Sequence, residues 1–533
     1  MSLDANFEFK STINDSNIIS QVYLLCGSQW SGPLGADNFS KICTSNHLNY
    51  LEQGGISETF CIIEKSSNKV IASTIIKHQK SLFKPADKSH AISSVPDPSS
   101  FGIKHITSLL VSFVFVDEKY RSKGLARQVV SKAIESTESN IIKKHLDLGD
   151  DNFKKMCIDE TTGHVDPQLA NYYLSKEYVW YLYSGVNTYY ERFGFKSYPL
   201  DFYKIPTGLL SEGQEDIIKQ LVENPDSHHG KHLKLLLSDN EEDLNIIKFI
   251  LQTKELEILT ELNKLLFHSD LQSDRRSSTS LTNMSTILSM SRLGSNHALS
   301  SITESNQPNI QGNARKSSAQ NQTISKFSIK PDFLHYQWNS IMENGMAGSE
   351  TAKKFSNIKG AILTNDLQQK SHYILWNCLK GEFFIIGMGE IQYQGNQSGN
   401  YRRRGSSFTG LNELGGYNFQ DLDLLISAAL YNAKNRGKVF NNVYISLNDL
   451  PDEIPDNIMQ DFFINYLPFS SYASEEHKEA KKQENEKQEK EYRCELITDA
   501  AKQVGVLPML KKFGSKSFEY ELDWISNGMW CWG

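Results

Sequence analysis

Residues 106 to 127 constrain this chain more than any other stretch, because an apolar run, a polar turn and a one-sided helix follow without interruption. Ile106 to Val116 is Leu, Val and Phe almost throughout, the composition of a strand buried on both faces. Asp117 to Tyr120 is polar. From Arg121 the spacing predicts a helix, with Ala126, Val129, Val130, Ala133 and Ile134 on one face. A strand-to-helix turn of small residues leaves backbone N–H groups unpaired and aimed in one direction. With the helix dipole they form an anion site suited to a pyrophosphate. Gly124 and Ala126 let a ligand approach the backbone, and Arg121, Lys123 and Arg127 add positive charge. The loop is not of the GxxxxGK[ST] type. It also lacks the second and third Gly of a dinucleotide fingerprint.

The rest of the first 205 residues reads as alternating strands and helices. Phe7 to Lys10 is a strand. Asp15 or Ser16 caps a helix carrying Ile18, Ile19, Val22, Tyr23 and Leu25, and a second helix lies near Asn38 to His47. Phe60 to Lys65 and Val70 to Lys77 form a hairpin across Ser66, Ser67 and Asn68. Beyond the long helix come a strand at Tyr178 to Val186, a short helix at Thr188 to Phe193, and one or two strands in Lys196 to Ile205.

Arg121-Ser122-Lys123-Gly124-Leu125-Ala126 fits the pattern [Arg/Gln]-x-x-Gly-x-[Gly/Ala]. About sixty residues later, Tyr189-Tyr190-Glu191-Arg192-Phe193-Gly194-Phe195 fits an aromatic-Tyr-x-x-x-Gly-Phe segment that follows a strand. On these residues and their order the region resembles the GCN5-related N-acetyltransferases (GNAT). The resemblance implies a mixed, splayed central sheet flanked by helices. It also implies acetyl-CoA as co-substrate, with its pantetheine arm on Val114, Phe115 and Val116. The diphosphate would rest on Arg121, Ser122, Lys123, Gly124, Leu125, Ala126 and Arg127. Transfer would be direct, with a backbone N–H polarising the thioester and Tyr190 as general acid. Tyr189 is expected to turn into the core, and Cys61 and Cys157 are not nucleophiles. A phenol with pKa about 10 is protonated at neutral pH and can serve a thiolate leaving group. A lysine ε-amine, pKa about 10.4, has to be deprotonated before it attacks. Glu64 on the hairpin is a candidate base, and an exposed hairpin acid is the plainer reading of it.

Composition divides the remainder. Residues 206–268 read as a helical connector. Residues 269–326, dominated by Ser, Asn, Thr and Gln, read as a disordered linker. Residues 327–533 return to globular composition around two low-complexity insertions, 394–417 and 475–491. Strands are expected at His372 to Leu379, Phe383 to Tyr393, Val439 to Leu447 and Phe518 to Trp524. Helices are expected at Leu422 to Asn435 and Asn457 to Tyr466. That order imitates a second, degenerate GNAT-like α/β domain. No acetyl-CoA pattern precedes its long helix, so no coenzyme is expected there. Leu182-Tyr183-Ser184, Ile374-Leu375-Trp376, the Leu422 to Lys434 helix and the Trp-rich ending resemble the yeast lysine N6-acetyltransferases. That resemblance implies free L-lysine as the amine acceptor and a place in lysine breakdown. The last residues are too aromatic for a free tail. They read either as a last core strand or as an end docked in the domain cleft, with the Gly533 carboxylate near the acceptor amine.

Lys and Arg number 56 against 63 Asp and Glu, a net charge of −7, which argues against a nucleic-acid coat. Seven scattered Cys without CxxC argue for reduced thiols and no metal. The first residues carry no apolar stretch of signal type, and the apolar runs are too short to cross a bilayer. A cytoplasmic protein without a membrane partner is expected. Arg275 to Ser278 and Arg403 to Ser406 fit a basophilic-kinase pattern common by chance in Ser-rich sequence. Two alternatives stay open: an acetyltransferase of protein lysines or N-termini, and a catalytically silent acyl-CoA-binding interaction protein.

Overall fold

The computed structural model describes residues 4–85, 102–148, 151–159, 161–223, 230–263, 324–366, 370–391, 419–436, 440–451, 454–469, 493–514 and 521–532. Strands β1 (Phe7–Thr12), β2 (Ile56–Glu64), β3 (Lys69–Lys84), β4 (Lys104–Val116), β5 (Tyr178–Ser184) and β6 (Lys196–Ser197) belong to one mixed sheet. A second mixed sheet has the order β14-β7-β13-β12-β11-β10-β8. Its strands are β7 (Phe202–Pro206), β8 (Lys231–Leu237), β10 (Ile358–Asn365), β11 (Lys370–Leu379), β12 (Glu382–Ile391), β13 (Asn442–Ser446) and β14 (Glu495–Ile497). The first sheet also takes β9 (Ile324–Ile329), β15 (Leu507–Lys512) and β16 (Glu521–Trp524) from the second half of the chain.

The sheets therefore exchange strands. In the first, parallel strand β5 is flanked by β15, with Leu507 opposite Ser184. In the second, β13 is flanked by β7, with Ser446 opposite Phe202. Residues 206–268 hold helices α6 (Glu212–Glu223) and α7 (Glu241–Asn263), but also β8, an edge strand of the second sheet. The connector, read as helical, thus also supplies a sheet strand: Leu233 packs into the core of the second sheet and Leu236 into the core between the sheets. Ile324, Ser325 and Lys326, read as linker, start β9, where Ser325 and Lys326 are buried between β3 and β16. The rest of that linker and both insertions lie outside the described residues, as do the two kinase patterns.

Strand β4 is covered on both faces, as its composition requires. On one side, helix α3 (Leu125–Leu148) packs Leu125, Val129, Val130, Ala133 and Ile134 over Leu109 and Val111. On the other, α1 (Ser16–Trp30), α2 (Ala36–Glu52) and Trp338 of α8 (Phe333–Gly345) cover Ile75 and Phe115. Asp15 caps α1 by accepting from the N–H groups of Asn17 and Ile18. Leu110, Tyr181 and Phe202 face the second sheet, and one core runs between the two. Helices α6 and α10 (Phe419–Asn435) close the far side of that sheet. Each such aliphatic or aromatic side chain, fully buried, contributes about 1.5–3 kcal/mol.

The C-terminal segment ties both halves together. Tyr183 Oη, on β5, donates toward the carbonyls of Asn527 (2.9 Å) and Gly528 (2.7 Å). Asp449, after β13, accepts from the Met529 N–H at 2.8 Å. His335 Nε2 and Asn339 Nδ2, on α8, both donate to the Trp532 carbonyl at 2.8 Å.

Two predictions follow from this packing. A 1–205 fragment lacks β9, β15 and β16, which leaves β5 an open edge. Expressed alone it is expected to show no cooperative unfolding transition in urea, and a sharp transition would contradict the exchange. Burial also pushes His47 and His335 down to about 3. Their folded values lie below the unfolded one, so the unfolded chain alone binds their protons between pH 6.5 and that value. Stability is expected to fall with pH below 6.5, by about 1.4 kcal/mol per pH unit for each. Urea midpoints from pH 7 to 5 measure the slope, and His47→Gln should remove one residue's share of it.

Candidate active site

Strands β4 and β5 run parallel but are hydrogen-bonded only from Thr107–Tyr178 to Leu110–Tyr181. Beyond that, β5 stays with β15 and β4 stays with β3. Among the described residues no strand pairs with Val111 to Val116 on the β5 side. The cause is a bulge. Ile75 faces Ser112 while Ser73 faces Phe115, so β4 carries one extra residue. Phe113 takes φ 50°, a conformation costing a bulky residue about 1–3 kcal/mol. Two buried hydroxyls hold it in place: Ser73 Oγ donates to the Phe113 carbonyl (3.2 Å) and Thr74 Oγ1 to that of Ser112 (3.1 Å). The result is a cleft with one wall of free backbone groups, able to hydrogen-bond an extended amide chain.

The loop beyond β4 opens at the same end. Asp117 fixes its start, accepting from the Lys119 N–H (3.1 Å) and pairing with Lys69 (2.8 Å). Ser122 and Gly124 both have positive φ, 66° and 73°. Such a backbone curls successive N–H groups toward one point. The Gly124 carbonyl accepts from Gln128 N (3.1 Å), and α3 begins at Leu125, later than the Arg121 start expected. None of the N–H groups of Ser122 to Arg127 donates elsewhere among the described residues. A Cβ on Gly124 would meet nothing within 4 Å, so the loop is open at this point. Leu125 is the anchor, its side chain buried beside Val129. The Arg121 guanidinium lies over Phe115, 5.6 Å from the ring centroid, and pairs with Glu118 at 3.3 Å. Val114, Val116 and Ala126 are half-buried, and Ser122, Lys123 and Arg127 are exposed around the loop.

Tyr190 lies in the kinked 3-10 segment Asn187–Phe193 and is 7% exposed, packed on Phe193 and Phe195. Burial pushes its phenol well up, so it stays protonated at neutral pH. Tyr189, expected to turn inward, is instead the half-buried one of the pair, with the Arg192 guanidinium 4.3 Å from its ring. Gly194 ends the turn at φ 87°, which explains the Gly of the motif. Cys61 and Cys157 are buried free thiols, and burial raises Cys61 to about 12, which keeps it from acting as a thiolate.

Glu64 does not stand at this cleft. It ends β2 between Phe7 of β1 and Lys69 of β3, where it accepts from Tyr120 Oη (2.7 Å) and Ser67 Oγ (2.6 Å). Those two donors hold its carboxyl below the usual range, the opposite of what an amine base needs. Gly533 lies outside the described residues. Sequence reasoning also missed Phe113 and Arg192. A bulge leaves no trace in the alternation of an all-apolar strand, whereas Arg192 stood within the motif and could have been found there.

No family model and no curated protein matches the chain. The solved structures it is similar to include GNAT acetyltransferases. A tandem GNAT protein from the clavulanic acid biosynthesis pathway is 10% identical with a TM-score of 0.37, the match covering 96% of this chain and 100% of that one. A GCN5-related N-acetyltransferase from Kribbella flavida is 8% identical with a TM-score of 0.32. This match covers 84% of the chain but only 66% of that protein's length. The GNAT family N-acetyltransferase YhbS from Escherichia coli, solved with CoA, is 14% identical with a TM-score of 0.20, covering 37% and 72%. Likenesses this faint give no residue a role. Among the described residues no cluster of His, Cys, Asp and Glu could hold a metal, and no helix is long and apolar enough to cross a membrane.

Gly124→Val places a β-branched residue at φ 73°, so the nest has to unwind. CoA is expected to bind at least tenfold more weakly by calorimetry, about 1.4 kcal/mol, with the fold retained. Unchanged affinity would show that these amides do not hold the diphosphate.

Proposed function

We propose that the chain is a GNAT-type N-acetyltransferase that passes acetyl from acetyl-CoA directly to a primary amine, with the N6-amine of free L-lysine as acceptor. The observation that carries this reading is the parting of β4 from β5 beside an unpaired nest of amides at the start of α3. A cleft lined by free backbone and closed by an anion nest matches, part for part, a ligand made of an amide-bearing arm and a diphosphate. The L-lysine acceptor rests on the resemblance carried by Leu182-Tyr183-Ser184, Ile374-Leu375-Trp376 and the Trp-rich ending.

In this mechanism the backbone of Val114, Phe115 and Val116 binds the pantetheine arm. Ser122 to Arg127 hold the diphosphate, with Arg121, Lys123 and Arg127 neutralising its charge. A backbone N–H at the Phe113 bulge donates to the thioester carbonyl, an oxyanion-type role. Tyr190 donates its proton to the departing thiolate. The second half of the chain completes the acceptor side, because Trp338, His335 and the Asn527–Trp532 segment all pack on the face of the first sheet opposite α3.

CoA-thiol release by the purified chain, with L-lysine or a lysine peptide as acceptor, tests the reading. Release with L-lysine alone is expected. Release only with peptides would make it a protein acetyltransferase, and CoA binding without release would make it a silent binder. Tyr190→Phe is expected to lower kcat with L-lysine about 10²-fold or more while CoA affinity holds. A near-normal kcat would remove Tyr190 as the acid.

A further inference from the structure

On the face opposite α3 the first sheet buries an amine with no counter-charge among the described residues. Lys77, in the middle of β3, is fully buried, and its Nζ has no hydrogen-bond partner among the described residues. Three aromatic rings surround it, with centroids at 3.3 Å (Trp338), 5.8 Å (Tyr50) and 6.0 Å (Phe113). An unpaired ammonium in such a place costs several kcal/mol, and a ring face offsets only part of that.

Its surroundings add donors and no anion. Ser57, directly opposite on β2, has a buried Oγ without a partner. His47, on α2, sits 6.0 Å from the Trp338 ring and is buried with Nε2 unpartnered. Tyr23 Oη lies 2.9 Å from His47 Nδ1. With the phenol donating, the neutral imidazole carries its proton on Nε2. Cys43 also neighbours Lys77, but burial pushes its thiol up and keeps it uncharged. The layer thus holds three groups able to donate, one of them a potential cation, and no carboxylate among the described residues.

Its position links that deficit to the reaction. Lys77 pairs with Leu110, the last residue of β4 bonded to β5, so the amine stands where the sheet opens. Phe113, one wall of its cage, is the bulge residue itself.

We propose that Lys77 Nζ, with His47 Nε2 and Ser57 Oγ, receives the carboxylate of the amine acceptor and so selects an amino acid over its decarboxylated amine. The inference rests on the acetyltransferase reading above. A carboxylate there gains charge-assisted hydrogen bonds and supplies the missing counter-charge in one step.

The test uses the full chain, with L-lysine and 1,5-diaminopentane as acceptors and CoA binding measured alongside. Lys77→Met is expected to raise KM for L-lysine at least 30-fold and to change kcat/KM for the diamine less than threefold. Ser57→Ala, the milder variant, is expected to raise KM for L-lysine 3- to 10-fold, again without effect on the diamine. Equal losses on both acceptors, or a wild-type protein that does not distinguish them, would overturn the site. Calorimetry with L-lysine separates the two levels of the argument. If CoA binds but neither amine is acetylated, the acetyltransferase reading fails. The carboxylate site then stands only if L-lysine still binds the wild type and Lys77→Met abolishes that binding.

Discussion

Everything at the candidate site depends on hydrogen bonds that two neighbouring strands do not make. Parallel strands β4 and β5 are joined over four residue pairs and then separate. A half-paired strand in a protein interior is costly, since each buried amide left alone forfeits a hydrogen bond. Two features make the separation tolerable. Strand β15 pairs the far edge of β5 along its whole length past the parting point and so holds β5 in the sheet without β4. The Phe113 bulge shifts the register of β4 against β3, and buried hydroxyls of β3 hold the bulged carbonyls. The free edge is thus kept by its neighbours, and the strain at Phe113 is part of how the cleft stays open.

That dependence explains why the halves of the chain are not separable. The strand supporting β5 is some 320 residues away in sequence, and the second sheet leans on β7 in return. The C-terminal segment crosses the same junction, held by Tyr183 from one sheet, Asp449 from the other and two donors of α8. Tyr181 Oη donates to Gln79 Oε1 at 2.6 Å, and Gln79 meets His335 Nδ1 through its amide nitrogen. One buried polar chain therefore runs from β5 through β3 to α8 and the Trp532 carbonyl. Such a network specifies a single arrangement, because any slip leaves a buried donor or acceptor alone.

Periodicity made the local structure legible. The cap at Asp15, the hairpin around Asn68, the two-faced burial of β4 and the loop ending in α3 could all be read from residue type and spacing. So could the glycines at 124 and 194, because only a position needing positive φ explains them in those turns. What stayed hidden was non-local. Nothing in Phe202–Pro206 or Leu507–Lys512 marks which sheet each joins, since an apolar strand carries no address. Lys77 was hidden for the converse reason: one Lys in an apolar run reads as an end or an error, and only its register opposite Leu110 gives it meaning. Glu64 misled because a carboxylate on a hairpin looks free until the hydroxyls of Tyr120 and Ser67 are placed on it.

The second sheet repeats the parting. β12 is bonded to parallel β13 only from Phe383–Val443 to Ile385–Ile445, and then runs on to Ile391 without it. The antiparallel run β10-β11-β12 before it copies β2-β3-β4, and α10 follows as α3 does. Where the first cleft is lined by free backbone, here Ile386 and Gly387 share a small cavity with Tyr336 and Trp530, side chains of the protein itself. The same architecture thus occurs twice, and in the second copy α8 and the C-terminal turn pack beside the parted strand. Those are also the elements that deliver Trp338 to Lys77 and the Trp532 carbonyl to His335. The second copy is therefore built against the first through the same two elements that wall in Lys77 and anchor His335.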